Sequence, residues 1–356
     1  MKIQKMSVTH GMKVVNWQVK RTSYNVTLRK SNKNELTTKN NRIIQEDMIM
    51  IAVSIENSTF CGANCIACVR HDMKNVNQNM SNEFFFSIMD QICEWGGGKH
   101  PKVDAISFVG TGDAFLDPGV IEKLKYVKEK TPFKIHMTNT CELLDDDMID
   151  AVCNYVDTLK ISHYGMSDST FQAVHGWKVS RKKVVDQINR LLDREHRPRV
   201  TLTFLVLPEN ASEQGEFIDY WEPRCDEVDI WTPHNWAGRY QYNNTANTEE
   251  KSSCNRPGRD YFIHVDGVVS ACCLDICQAL DLGNLKHQCW NDIVSGKSLS
   301  DIQQKHKEGN FASLICDNCD FLHNREDCLI YSSNKNLKVG MKAGYESNAV
   351  NFFEED

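Results

Sequence analysis

The sequence predicts an α/β fold: a partial (β/α)6 barrel of the TIM type, followed by a small unit built on a β-hairpin and a helix. Three observations carry this expectation. Six short apolar runs alternate with amphipathic stretches between residues 48 and 232, an Asp266-Gly267 pair sits between two further apolar runs, and cysteines gather in two groups, Cys61 to Cys68 and Cys254 to Cys319. Strands that alternate with helices at this spacing call for a parallel sheet with crossover helices, and Asp-Gly between apolar runs signals a hairpin.

Taken in order, Met48-Ile-Met-Ile-Ala-Val-Ser-Ile55 is the first strand. Ser81 caps a helix over 82–95 that Gly96-Gly-Gly98 stops. Strands are then expected over 105–109, 134–138, 158–162, 200–207 and 228–232, with helices over 119–130, 145–155, 181–195 and 212–221. In the second unit, Asp260–His264 and Val268–Ala271 form the hairpin, and 299–306 reads as a short helix. The resulting organisation is a basic, β-rich extension (1–45), the barrel (46–235), the second cysteine unit (236–331) and a polar tail (332–356).

With 356 residues, 41% of them hydrophobic, the chain can bury one large core with an appended unit. Fifteen cysteines in a long chain that opens on polar residues read as reduced thiols, many of them metal ligands, in a cytoplasmic protein. No apolar run reaches the roughly 18 residues of a membrane span. A net charge of -7 argues against a protein built on nucleic-acid phosphates. The first 44 residues depart from that balance, with ten Lys and Arg against Glu35 alone. This is a solvated extension or a surface that attracts anions.

The chemistry centres on Cys61-Gly-Ala-Asn-Cys65-Ile-Ala-Cys68, a C-x3-C-x2-C loop directly after a strand. Three thiolates can hold three irons of a 4Fe-4S cubane and leave the fourth open to a chelating small molecule. A structural zinc site would normally close with a fourth ligand. The loop resembles that of the radical S-adenosylmethionine (SAM) enzymes, although Ala67 stands where those enzymes usually have an aromatic residue. The resemblance implies that the open iron chelates SAM, that reductive cleavage yields a 5'-deoxyadenosyl radical, and that the radical abstracts a hydrogen atom from substrate. It also implies an electron donor such as flavodoxin or ferredoxin.

Further roles follow from the same resemblance. Gly110-Thr-Gly-Asp-Ala-Phe115 is similar to the glycine-rich element that receives the SAM amino group, which assigns Gly110, Gly112 and Asp113 to cofactor binding. Ser162, at the end of the fourth strand, would meet the SAM ribose, and Asn210, after the fifth, would make a polar contact. Thr138-Asn139-Thr140 would shape the pocket floor.

In the second unit, Cys254, Cys272, Cys316 and Cys319 are four thiols from a hairpin and a C-x2-C, a set suited to zinc or to a 4Fe-4S cluster. Cys272-Cys-Leu-Asp275, Leu282-Gly-Asn-Leu285 and the final C-x2-C resemble the auxiliary-cluster extension called SPASM, or its shortened twitch form. That implies one auxiliary 4Fe-4S cluster, with Cys328 the residue a second would recruit.

The implied activity is net two-electron oxidation of a carbohydrate- or aminocyclitol-like small molecule. The alternatives are crosslinking or epimerisation of a peptide, and a non-catalytic interaction protein stapled by zinc. Oxidation requires a base at the barrel mouth, for which His234, flanked by Trp231 and Trp236, leads, with Asp275 and Tyr164 behind it and His163 and Arg239 further candidates. Cys225, Cys273 and Cys277 are candidate hydrogen donors for an epimerase.

Overall fold

The computed structural model describes residues 51–73, 76–95, 103–176, 178–240, 251–322 and 328–335; the basic extension expected over 1–45, and all but the first four residues of the polar tail expected over 332–356, lie outside them. Six parallel strands form the centre: β1 (Ile51–Ile55), β2 (Val103–Phe108), β3 (Lys134–Asn139), β4 (Thr158–Ser162), β5 (Arg199–Leu205) and β6 (Glu227–Trp231). They lie side by side in chain order. One face of this sheet is apolar, with Val53, Ile106, Leu159, Ile161 and Leu202 in register and fully buried, whereas the alternate positions carry Ser54, Ser107, His136, Lys160 and Thr203.

The crossovers are helical: α1 (Asn82–Trp95), α2 (Val120–Lys130), α3 (Asp146–Tyr155), then α4 (Asp168–His175) and α5 (Arg181–Leu192) in one connection, and α6 (Gln214–Trp221). In α1, Phe85, Ile88, Met89 and Ile92 recur at helical spacing and are buried, each contributing about 1.5–3 kcal/mol. The sequence reading did not anticipate α4. Its signals are short-range ones: Ser167 Oγ accepts from Thr170 N at the start, and Gly176, at φ 92°, ends it.

The C-terminal unit extends the same sheet. β7 (Asp260–Ile263) pairs in parallel with β1, from Ala52 opposite Asp260 to Ile55 opposite Ile263. β8 (Val268–Ser270) and β9 (Asp281–Asn284) continue outward antiparallel, and β10 (Leu329–Ser332) pairs antiparallel with β6 at the opposite edge. With β7 beside β1 and β10 beside β6, those two strands never meet and the barrel stays open. Two further helices, α7 (Trp290–Val294) and α8 (Lys297–Glu308), complete the unit. The fully buried Trp290 of α7 lies between Trp95 and Tyr261, at ring-centroid distances of 5.7 and 5.2 Å. β9, α7 and β10 are too short for periodicity to reveal them. Among the described residues, no helix is long and apolar enough to cross a membrane.

Candidate active site

A cavity of about 440 Å³ opens at the C-terminal ends of β1 to β6, within the size range of small-molecule sites. Cys61, Cys65 and Cys68 form one wall, and Gly110, Gly112 and Asp113 lie beside them. Thr138, Lys160 and Thr203 come from β3, β4 and β5, while Trp231, His234 and Trp236 stand on the β6 side.

The cysteine loop is braced from three directions. Asn64 N and Ile66 N donate to the carbonyls of His175 and Val174 at 2.9 and 3.0 Å, docking the loop on the C-terminus of α4. Trp236 Nε1 donates to Ala67 O at 3.2 Å and Tyr240 Oη to Cys68 O at 3.3 Å. At its base, Asn57 Nδ2 donates to Asp117 at 2.9 Å, and the fully buried Lys123 donates to the same carboxylate at 2.6 Å and to Met80 O at 2.7 Å. The resulting loop directs three thiols into one cavity, and burial pushes all three above the ordinary thiol range.

The glycine-rich loop packs directly against the start of the cysteine loop. A Cβ on Gly112 would lie 2.2 Å from Ser58 O, and one on Gly110 would lie 2.7 Å from the Glu56 side chain, so no other residue fits at either position. At Gly112 the absence of a side chain lets two backbones touch, and at Gly110 it admits the Glu56 side chain. Thr111 N and Oγ1 both donate to Glu56 Oε1, at 2.9 and 2.7 Å. Asp113 Oδ1 accepts from Asn139 Nδ2 at 2.7 Å and Phe115 N at 2.9 Å, while burial raises its pKa.

The structure brings Gly110, Gly112, Asp113, Ser162, Tyr164 and His234 into this cavity with the three thiols. It does not bring Asn210. That side chain is fully buried, accepts from Leu207 N at 2.7 Å and donates to Tyr164 O and Leu205 O, so it shapes the turn after β5. Asp275 is likewise away from the mouth. Its two oxygens accept from Ser270 Oγ, Ala279 N and Leu280 N at 2.6–3.0 Å, which ties the hairpin and leaves it no catalytic surface.

His163 is fully buried among Phe171, Phe217 and Trp221, and Arg239 is exposed outside the cavity. Cys225 precedes β6 and lies at the opposite strand ends, with its thiol against the carbonyls of Trp221 and Glu227. Tyr164 shares its hydroxyl with Ser162 and Thr203, and burial above all pushes its pKa up to about 12. His234 Nδ1 accepts from Trp236 N at 3.2 Å, which engages the lone pair a base would use.

The residue that sequence reasoning missed is His175, the last of α4. It is fully buried, lines the cavity, and stacks on Tyr164 at 4.9 Å. Its Nε2 accepts from Tyr164 N at 3.1 Å, and its Nδ1 stands 3.5 Å from Cys65 Sγ. Burial pushes its pKa down to about 3, so the imidazole is neutral.

The second group of thiols is enclosed. Cys254, Cys272, Cys316 and Cys319 all face one small cavity, whose remaining walls include Ala237, Arg256, Leu280, His306 and Phe321. Burial pushes the pKa of Cys316 up to about 12 and of Cys319 up to about 11. Arg256 donates to Asp260 Oδ2 at 2.8 Å and to Cys273 Sγ at 3.1 Å. The buried Nε2 of His306 has no hydrogen-bond partner. Four soft donors and an unpartnered imidazole nitrogen fit a sulfur-rich cluster with its own acceptor atoms. The donor chemistry of both thiol groups suits an iron-sulfur cluster.

Trp236, Ala237 and Gly238 form the partition between the two cavities. All three have left-handed backbones, with φ of 49°, 54° and 90°. Trp236 lines the large cavity and Ala237 the four-thiol one. Two consecutive non-glycine residues in this region cost about 1–2 kcal/mol each, which the bonds from Trp236 to Ala67 and from Gly238 N to Asn235 O help to offset.

Residues 254–320 match the SPASM family model, an iron-sulfur cluster-binding domain. The fold as a whole is shared with solved structures at low sequence identity. BtrN, solved with AdoMet and 2-DOIA, aligns at TM-score 0.53 and 14% identity over 83% of this chain and 97% of BtrN. AdoMet-bound anSMEcpe aligns at TM-score 0.57 and 13% identity over 85% of this chain and 98% of its own. Streptococcus suis SuiB, bound to the precursor peptide SuiA, aligns at TM-score 0.56 and 12% identity over 71% of this chain and 66% of SuiB. No curated protein matches the chain. The chain is thus an open α/β barrel of the kind seen in AdoMet-bound structures, and it carries a SPASM iron-sulfur domain against the β1 edge.

Proposed function

We propose that the chain is a radical SAM oxidoreductase that removes two electrons from a polar, carbohydrate- or aminocyclitol-like small molecule. One observation carries the reading: a three-thiol loop faces a wide cavity that the residues resembling a SAM site also line, and a closed four-thiol site stands behind the same partition. Cys61, Cys65 and Cys68 would ligate one 4Fe-4S cluster, and Cys254, Cys272, Cys316 and Cys319 a second. Loaded, these sites would supply the electron for reductive cleavage of SAM and an acceptor for the electron that the substrate gives up. Asp113 holds an ammonium group and Ser162 a ribose hydroxyl. His234 carries its proton on Nε2 and orients a substrate oxygen; it becomes a base only after releasing the Trp236 N–H. A low-potential donor of the flavodoxin or ferredoxin type would supply electrons in a reducing, cytoplasmic setting.

A second reading, modification of a peptide, is favoured by the fold shared with SuiB and with anSMEcpe, which have been solved with the peptides SuiA and Cp18Cys. Anaerobic incubation with SAM, reductant and separate panels of aminocyclitols and peptides distinguishes the two. Mass spectrometry should show 5'-deoxyadenosine and, for the oxidised small molecule, a loss of about 2 Da. Absence of 5'-deoxyadenosine with every panel would refute both readings.

A further inference from the structure

We infer that His175 is a positioning residue for the cluster loop, donating an N–H hydrogen bond from Nδ1 to the sulfur of Cys65 and so setting the potential of the cluster held there. The inference rests on the three-thiol site holding an iron-sulfur cluster. It begins with the other nitrogen. Tyr164 N is a backbone donor with a single hydrogen, and it points at His175 Nε2 at 3.1 Å, so Nε2 offers its lone pair and carries no proton. In a neutral imidazole the proton then resides on Nδ1, which faces Cys65 Sγ at 3.5 Å. The ring cannot turn away. It is fully buried, stacked on Tyr164 and packed against Phe171 at 4.3 Å, and its own carbonyl receives Asn64 N from the cysteine loop.

A donor aimed at a ligating thiolate stabilises negative charge, and the reduced cluster carries one more negative charge than the oxidised one. His175 therefore makes the cluster easier to reduce. Because the bond runs to Cys65, it acts through that ligand.

The test is an EPR-monitored redox titration of the loaded enzyme, following the reduced signal that changes when SAM is added. His175→Phe keeps the ring and removes the donor; reduction should become about tenfold less favourable, about 59 mV more negative for one electron. His175→Asn places an amide N–H near the position of Nδ1 and should recover at least half of that shift. An unchanged potential in His175→Phe overturns the inference, as does an equal loss in both variants, which would indicate a merely structural role. A wild-type enzyme with no SAM-sensitive signal would overturn the functional reading itself, and this inference with it.

Discussion

The two cysteine sites are built from the same donor atom and differ in almost everything around it. The three-thiol loop faces a cavity of about 440 Å³ lined by Lys160, Thr203, Asp113 and His234, whereas the four-thiol site is enclosed by Leu274, Leu280, Ile315 and Leu322. One site leaves room for a reactant beside the sulfurs; the other closes its sulfurs in with mostly apolar side chains, Arg256 and His306 apart. On the proposed function, chemistry with a small molecule would belong to the first, and storage or transfer of an electron to the second.

The largest test of this contrast removes each set of thiols. Replacing Cys61, Cys65 and Cys68 together by Ala should lower 5'-deoxyadenosine formation by at least about 1,000-fold and reduce iron from about eight to about four per chain. Replacing Cys316 and Cys319 should remove the same amount of iron yet leave SAM cleavage within about tenfold of wild type. Equal loss of cleavage in both variants would erase the distinction between an open and a closed site.

Next in size is the brace beneath the cysteine loop. Lys123→Met leaves the Asp117 carboxylate buried without a counter-ion, held only by Asn57 Nδ2 and Gly119 N, since both side chains are almost wholly inaccessible. Breaking such a pair should cost about 3–5 kcal/mol in denaturant unfolding. A loss below about 1 kcal/mol would show that the mouth does not depend on this pair.

A smaller effect separates the barrel from the extension by pH. Asp229, two residues before Trp231 and on the same face of β6, has an unpartnered Oδ1, and burial raises its pKa to about 6. Its native pKa exceeds the unfolded value, so its contribution is fully present below about pH 4 and is lost as pH rises through about 6, by up to about 3 kcal/mol. Asp229→Asn should flatten the stability profile between about pH 4 and 6. Retention of the full slope would assign it to other groups.

The parts of this molecule legible in the sequence are those whose cause is local. C-x3-C-x2-C after a strand, Asp266-Gly267 between apolar runs, and the 3.6-residue recurrence in α1 each depend on residues a few positions apart. His175 was hidden because its partners, Cys65 and Tyr164, lie 110 and 11 positions away and meet it only through tertiary packing. Asp275 and Asn210 were misplaced for a related reason. Residue type marks a side chain as able to accept or donate, but only the fold shows that hairpin and turn backbones already use that capacity. The pairing of β7 with β1 is equally non-local, and it makes the extension part of the barrel sheet.

The left-handed run at Trp236, Ala237 and Gly238 also constrains how this chain can diverge. Adjacent residues on one strained peptide form the wall of the reactant cavity and the wall of the four-thiol site. A lineage that reshaped Trp236 to admit a new substrate would shift the neighbour that bounds the thiols. The walls of the two cavities are therefore coupled at this position.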